Sequence, residues 1–259
     1  MTMSAAGLAG LLVLAGVAAY MQTLTGFALG LIMMGGIGLS GLMPLPEAAV
    51  LVGCMVLVNA AQVLARGWRD IAWAEFWPVI ISSLAALAAG YWLLGVMVSA
   101  SIDWLKLVLG IVIIASSLQL ALKPQPLAVR SSTASFVFFG GVAGLMGGLF
   151  STAGPPLIYH LYRQPLPAVS IRETLVAVFA VNAVIRLAMV ASAGEVPHSG
   201  FWWGLLCIPV VMIMTFVAKR WPPPLSALSI RRMAFGLLLL SGLSLAVPAL
   251  WKIIGDHAL

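Results

Sequence analysis

The segment GLMGGLFSTAGPPLIYHLYR, residues 144–163, places hydroxyl, glycine and proline residues in the middle of a strongly apolar stretch. Gly154 permits backbone conformations closed to other residues, and Pro155 suits the first turn of a new helix because proline lacks an N–H donor. The backbone N–H groups before that helix lie at its partly positive end, which favours an anion. Ser151 and Thr152 add hydroxyl donors. The pattern predicts an anion-binding site at these four residues, or alternatively a kinked, glycine-rich surface for helix packing.

A weaker interruption, from Thr23 to Gly26, breaks the long apolar region near the start of the chain. Apolar segments interrupted by glycine or proline at corresponding places in two halves of a chain are typical of a transporter's binding site. We therefore expect Thr23, Thr25 and Gly26 to contribute to the same substrate site.

Arg186 and Asn182 lie four residues apart in the apolar run VFAVNAVIRLAMV, and hence on one face of a helix. A charged side chain in mid-membrane costs much free energy, so it usually faces a partner or a wet cavity. Arg186 is a candidate counter-ion for the oxygens of an anionic substrate; the alternative is that its long side chain reaches the membrane interface. Asn59, with Gln62 one turn on, holds the related place in the first half. Both asparagines are either substrate ligands or interhelical hydrogen-bonding residues.

His160 follows the second interruption, and because an unperturbed histidine titrates near neutral pH, it is a candidate for proton coupling. The alternative is an interfacial histidine flanked by Tyr159 and Tyr162. Ser151 and His160 also suggest a nucleophile and a base, but the chain has no Gly-x-Ser-x-Gly elbow and no carboxylate obviously placed to orient the histidine. The two cysteines lie in separate apolar runs without metal-ligand spacing. The sequence thus predicts no enzyme, no catalytic residues, no metal site and no cofactor.

Composition defines the setting in which these residues must act. Hydrophobic residues make up 63% of the 259 residues and charged residues only 8%, against roughly 25% charged in a soluble domain. Only helices or closed barrels satisfy their backbone in lipid, and the long unalternating apolar runs exclude a barrel. The chain is therefore predicted to be an all-α, polytopic membrane protein whose partner is the lipid bilayer. Its formal charge of +6 lies mostly in short connections, which indicates topology signals rather than nucleic-acid binding.

Apolar stretches of about 20 residues are long enough to cross the bilayer core. Clear candidates lie at residues 47–65, 72–98, 104–122, 173–193, 200–218 and 232–250. Two less regular regions, 4–43 and 134–162, contain the interruptions. Each of these two is predicted to dip into the membrane and return, or to cross it twice.

The two halves of the chain repeat each other. Val58-Asn59-Ala60 matches Val181-Asn182-Ala183, and other short matches follow in the same order. We predict a first repeat at residues 1–122, a cytoplasmic connection at 123–133 and a second repeat at 134–259. Each repeat is expected to hold one broken or hairpin segment and three transmembrane helices. The positions of Lys and Arg predict opposite orientations for the two repeats, with both termini on the external, periplasmic side.

The interrupted segments GGVAGLMGGLFSTAGPPLIYHLY and GVAAYMQTLTGFALGLIMMGG resemble the two signature segments of the TauE/SafE family of sulfite exporters. The resemblance covers essentially the whole chain, including its length, its two halves and the Gly-Pro-Pro element. It implies a bacterial inner-membrane permease for small sulfur-containing anions such as sulfite or an organosulfonate.

Together these features predict a transporter that binds a small anion near the membrane midplane, where the two broken segments meet, and that works by alternating access. The alternatives are an anion channel and a transporter of a small carboxylate or another organic anion. The Gly/Ala-rich faces suit packing within or between subunits, so a homo-oligomer stays open. The identity of the anion, the direction of transport and the coupling ion also stay open at this point.

Overall fold

The computed structural model describes residues 4–121, 127–152, 155–194, 199–221 and 227–256, and every regular element within these ranges is a helix. The predicted all-α fold is confirmed. The α-helices of these ranges are α1 (Ala5–Thr25), α2 (Ala28–Ser40), α3 (Leu45–Gly67), α4 (Trp73–Ala100), α5 (Ile102–Ala121), α6 (Thr133–Phe150), α7 (Pro155–Tyr162), α8 (Ala168–Ser192), α9 (Ser199–Gly204), α10 (Cys207–Arg220) and α11 (Ala227–Asp256), with a short 3-10 turn at Trp68–Asp70.

Six of the described helical stretches are long and apolar enough to cross a membrane. Helices α3, α4, α5, α8 and α11 lie where the sequence predicts uninterrupted spans. The predicted span at 200–218 corresponds to the candidate span Phe201–Arg220, within which a turn at Leu205–Leu206 separates α9 from α10. Pro209 accounts for this turn, since it has no N–H to bond the carbonyl of residue 205 and its ring crowds that carbonyl. The chain is therefore a multi-pass helical membrane protein.

The first interrupted region folds into a helical hairpin made of α1 and α2. Gly26 follows α1 in the left-handed conformation, with a φ of 86°, which glycine adopts without steric cost. Gly36 of α2 lies against the side chain of Leu14 in α1, so the two helices run back along each other. With 13 residues, α2 is about 20 Å long and too short to cross a core of roughly 30 Å. Because the chain turns at Gly26, Thr23 and Thr25 lie inside α1 rather than in the interruption.

The second interrupted region forms a similar hairpin from α6 and α7. Ser151 follows α6 in the left-handed conformation, with a φ of 53°, and α7 begins at Pro155 as predicted. His160 in α7 stacks on Phe139 in the first half of α6, with ring centroids 4.3 Å apart, so α7 runs back along α6. With eight residues, α7 is about 12 Å long and cannot cross the membrane. Gly154, which was expected to supply the special backbone conformation, lies outside the described residues.

Helices of the two halves pack against each other in matching pairs. Helix α4 lies along α6, α10 lies along α1, α3 packs on α8, and α5 packs on α11. The α4–α6 contact is close because Gly140, Gly144 and Gly148 face α4, and a Cβ added at any of them would collide with the α4 backbone. This pairing agrees with two equivalent halves, whose boundaries and opposite membrane orientation stay predictions.

Candidate functional site

A small cavity lies between the end of α6 and the middle of α8. It is lined by Gly147, Ser151, Phe179, Asn182, Ala183 and Arg186. The four α8 residues are spaced i, i+3, i+4 and i+7, so they share one face of that helix. The cavity has room for about one water molecule. Three of the predicted site residues, Ser151, Asn182 and Arg186, therefore meet at one place.

Arg186 brings a positive charge to this cavity. Its side chain is only 2% exposed, and its Nε donates a hydrogen bond to the carbonyl of Gly148, 3.1 Å away. Its guanidinium carbon lies 5.9 Å from the centre of the Tyr91 ring, within the range of a cation–π contact. An arginine that reached the membrane interface would be exposed on the isolated chain. The structure thus favours a charge held inside the protein over the alternative of an interfacial side chain.

Asn182, one turn before Arg186, supplies an amide to the same wall. Its Nδ2 donates to the hydroxyl of Ser83 on α4 at 2.8 Å, and the same hydroxyl lies 3.1 Å from Asn182 Oδ1. Both side chains are buried. An amide nitrogen carries two hydrogens, so Asn182 has a second donor besides the one used on Ser83.

Gly147 lines the cavity from the side of α6. A Cβ built on it would lie 3.6 Å from Asn182 Nδ2 and 3.9 Å from Leu87 Cδ1, which are ordinary contacts. A side chain is therefore sterically allowed at this position but would fill the space beside the amide.

Ser151 and Thr152 join the second hairpin to helices of the first half. The Ser151 hydroxyl donates to the carbonyl of Ala49 in α3 at 2.7 Å, so its proton is directed at α3 in this conformation. Thr152 is buried and lies against Gly30 of α2, where an added Cβ would be 3.1 Å from the threonine hydroxyl oxygen. The segment between α6 and α7 thus packs against α2 and α3. Pro155 begins α7.

The predicted first-half residues Thr23 and Asn59 meet in a separate polar cluster. Asn59 Nδ2 donates to the hydroxyl oxygens of Thr23 at 3.0 Å and of Thr215 on α10 at 2.8 Å. Thr23 in turn donates to the carbonyl of Ala19. Asn59 is fully buried, and its Oδ1 has no hydrogen-bond partner among the described residues. These contacts join α1, α3 and α10, and none of the three side chains lines the cavity beside Arg186.

The remaining predicted first-half residues lie around the turn of the first hairpin and along α3. Thr25 donates its hydroxyl to the carbonyl of Met21, and its own carbonyl accepts from the Tyr162 hydroxyl at 3.0 Å. Gly26 packs under Arg172 at the start of α8. Gln62 is half-buried, and its carbonyl accepts from the Lys219 ammonium at 3.0 Å. None of these residues contributes to the cavity lining.

His160 is held at the base of the second hairpin. Its ring makes an edge contact with Phe136 and stacks on Phe139, with centroids 4.8 and 4.3 Å away, and its Nε2 is 3.4 Å from the Ser135 hydroxyl. It is 6% exposed. The Ser151 hydroxyl bonds to Ala49 instead, so the structure does not pair these two residues as nucleophile and base.

Sequence reasoning identified the polar residues of α8 but missed several neighbours. Phe179 and Ala183 share the helical face of Asn182 and Arg186, so helical spacing alone would have found them. Gly147 belongs to the interrupted segment 144–163, but the sequence did not predict that it lines the cavity. Ser83 and Tyr91 on α4 approach these side chains only through tertiary packing, for which the sequence carried no signal.

The chain is similar to known membrane transport proteins. A family model described as "Sulfite exporter TauE/SafE" matches residues 11–245. A probable sulfite/organosulfonate exporter TauE of Cupriavidus necator is 39% identical over 243 residues, which cover 94% of this chain and 95% of the relative. A probable inner membrane transporter protein TsaS of Comamonas testosteroni is 26% identical over 209 residues, which cover 77% and 84%. No solved structure matches the chain.

Proposed function

The chain belongs to the TauE/SafE family of sulfite exporters, and we propose that it moves a small sulfur-containing anion, such as sulfite or an organosulfonate, across the inner membrane. Members of this family are transporters and not enzymes, which confirms that prediction from the sequence. We place the anion beside Arg186, Asn182 and Ser151, and we propose that it crosses by alternating access.

The observation that carries this proposal is the burial of Arg186 beside a cavity inside the helix bundle. Withdrawing a guanidinium from water costs free energy, and residues that remain charged within a membrane generally serve a substrate path or a structural partner. The planar guanidinium matches two oxygens of a sulfite or sulfonate group at once. Asn182 adds a neutral donor one turn away, which suits the remaining oxygen.

The small size of the cavity supports a closed state of the transporter. Space for about one water molecule is too little for sulfite, so the walls must separate before the anion enters. Neither α2 nor α7, the second helix of each hairpin, is long enough to cross the membrane. Such short helices are suited to opening a path to one side at a time.

Sulfite flux in reconstituted vesicles tests the proposal. Purified protein is inserted into liposomes, and the uptake of radiolabelled sulfite is measured over a range of concentrations. We expect saturable uptake that unlabelled sulfite or sulfoacetate inside the vesicles accelerates by exchange. Removing the cation with Arg186→Gln is expected to raise KM by about 10- to 150-fold, from the usual strength of a hydrogen bond to a charged group.

Two matched variants make the result specific. Arg186→Lys keeps the charge but loses the planar fork, so its KM is expected to lie between those of wild type and Arg186→Gln. Arg66→Gln removes an exposed arginine at the end of α3 and is expected to behave as wild type. Uptake that rises linearly with concentration and shows no exchange would indicate a channel. Saturable uptake of acetate in place of sulfite would indicate a carboxylate carrier.

A further inference from the structure

We infer that α4 supplies two positioning residues, Ser83 and Tyr91, which fix the amide of Asn182 and the guanidinium of Arg186 for anion binding. The inference rests on the proposed function of the cavity and adds residues that neither belong to its lining nor follow from family membership. Ser83 contacts Asn182, and Tyr91 contacts Arg186.

Ser83 holds the amide of Asn182. Its hydroxyl is fully buried and lies within hydrogen-bonding distance of both amide heavy atoms, 2.8 Å from Nδ2 and 3.1 Å from Oδ1. On the α6 side, Nδ2 faces Gly147, which has no side chain to restrain it. Losing the serine hydroxyl removes the hydrogen bond that ties this amide to α4. Ser83 thus anchors the end of the Asn182 side chain beside the cavity.

Tyr91 holds the guanidinium of Arg186. The flat ring lies 5.9 Å from the guanidinium carbon. The Gly148 carbonyl oxygen accepts a hydrogen bond from Arg186 Nε, 3.1 Å away. A carbonyl on one edge and a ring beside the plane together limit the rotation of a long, flexible side chain. A guanidinium oriented before the anion arrives loses less conformational freedom on binding.

The backbone of α4 is itself fixed at the same two residues. A Cβ added to Gly144 of α6 would collide with the Ser83 carbonyl, and one added to Gly148 would collide with the backbone nitrogen of Tyr91. Ser83 and Tyr91 are eight residues apart, so they lie on one face of α4. Their main chain therefore contacts α6 while their side chains reach α8. Ser83 and Tyr91, which orient Asn182 and Arg186, therefore belong to a part of α4 whose backbone is packed directly against α6.

Positioning predicts a particular kinetic effect. Losing the Ser83 hydroxyl or the Tyr91 ring leaves the charge and the amide in place but disorders them, so the anion binds more weakly. We expect about a tenfold rise in KM for sulfite, the size of one lost neutral hydrogen bond or cation–π contact, at an unchanged maximal rate per folded molecule. A purely structural role would lower the amount of folded protein and leave KM unaltered.

Matched variants in the vesicle assay test this inference. Ser83→Ala is compared with Ser82→Ala, because the neighbouring hydroxyl bonds to carbonyls of its own helix, Pro78 and Val79, at 2.9 and 3.0 Å. Tyr91→Leu removes the ring and Tyr91→Phe keeps it, while Trp92→Leu removes an exposed aromatic residue next to it. The raised KM is expected for Ser83→Ala and Tyr91→Leu, and wild-type KM for the other three variants.

The outcomes separate this inference from the proposed function. If Arg186→Gln impairs sulfite transport but Tyr91→Leu and Ser83→Ala keep wild-type KM, the positioning inference is overturned and the anion site stands. If Arg186→Gln itself transports sulfite normally, the proposed site fails. Should Ser83→Ala not yield monodisperse protein, the Tyr91→Phe and Tyr91→Leu pair decides alone, and equal KM values for the two overturn the role of the ring.

Discussion

Replacing Gly147 by alanine fills the cavity without disturbing the helices around it. The new Cβ would lie 3.6 Å from Asn182 Nδ2 and 3.9 Å from Leu87 Cδ1, both ordinary van der Waals distances. Gly147 lies within α6, where alanine is favoured over glycine by about 0.8–1.0 kcal/mol of helix propensity. The folded state is therefore expected to be as stable as wild type or slightly more stable.

The expected effect on sulfite binding follows from the position of the new methyl group. It would lie beside Asn182 Nδ2, where the anion is proposed to bind. An extra methyl group in a close-fitting pocket changes binding by about 1–3 kcal/mol, or 10- to 200-fold. We expect the dissociation constant for sulfite to rise within that range, together with KM for transport.

Isothermal titration of purified protein with sulfite, combined with thermal melting in detergent, measures both effects. Gly141→Ala is the matched control, because it adds the same methyl group to α6 with no heavy atom within 4 Å. The control is expected to bind sulfite as wild type does. Wild-type affinity in Gly147→Ala, at an unchanged melting temperature, would refute the placement of the anion beside Asn182. A marked loss of stability would refute the contact distances instead.

Three further substitutions follow from the packing. Gly144→Ala forces the new Cβ into the Ser83 carbonyl, so we expect loss of monodisperse protein in size-exclusion chromatography, whereas Gly141→Ala stays monodisperse. Asn59→Ala removes the hydrogen bonds that join α1, α3 and α10; we expect about 0.6–1.7 kcal/mol less stability in detergent unfolding at unchanged sulfite KM, and a tenfold higher KM would place Asn59 in the site. Ser151→Ala and Ser151→Gly both lose the bond to Ala49, but only alanine keeps the steric cost of a φ of 53°. We expect the glycine variant to be more stable by about 1 kcal/mol, and the reverse order in thermal melting would contradict this account.

The helices could be predicted where a single physical cause dominates. Apolar length located α3, α4 and α8, because the bilayer core demands about 20 apolar residues. Glycine located the first interruption to within a few residues, but the threonines beside it satisfy their hydroxyls on carbonyls of α1 and leave the helix intact. The turn before α10 was missed because a proline interrupts the hydrogen bond to a residue four positions earlier, so the break does not fall at Pro209.

Part of the candidate site could also be predicted from the sequence, where the residue type alone is unusual for its surroundings. Arg186 and Asn182 stand out because a charge and an amide are rare in an apolar helix. Ser83 does not stand out, since serine is tolerated in membrane helices and its importance comes only from the approach of α4 to α8. Asn59 looked equivalent to Asn182 in sequence, yet Thr23 and Thr215 occupy its donor. Which of two similar residues faces open space depends on packing between distant segments.

The glycine contacts between α4 and α6 constrain how the molecule changes shape. Side chains between two helices can change rotamer when the helices slide. Backbones in direct contact cannot adjust in this way. In the proposed alternating-access cycle, we therefore expect α4 and α6 to move together as one rigid unit. The chain would then bend where helical hydrogen bonds are already interrupted, such as at the turn between α9 and α10.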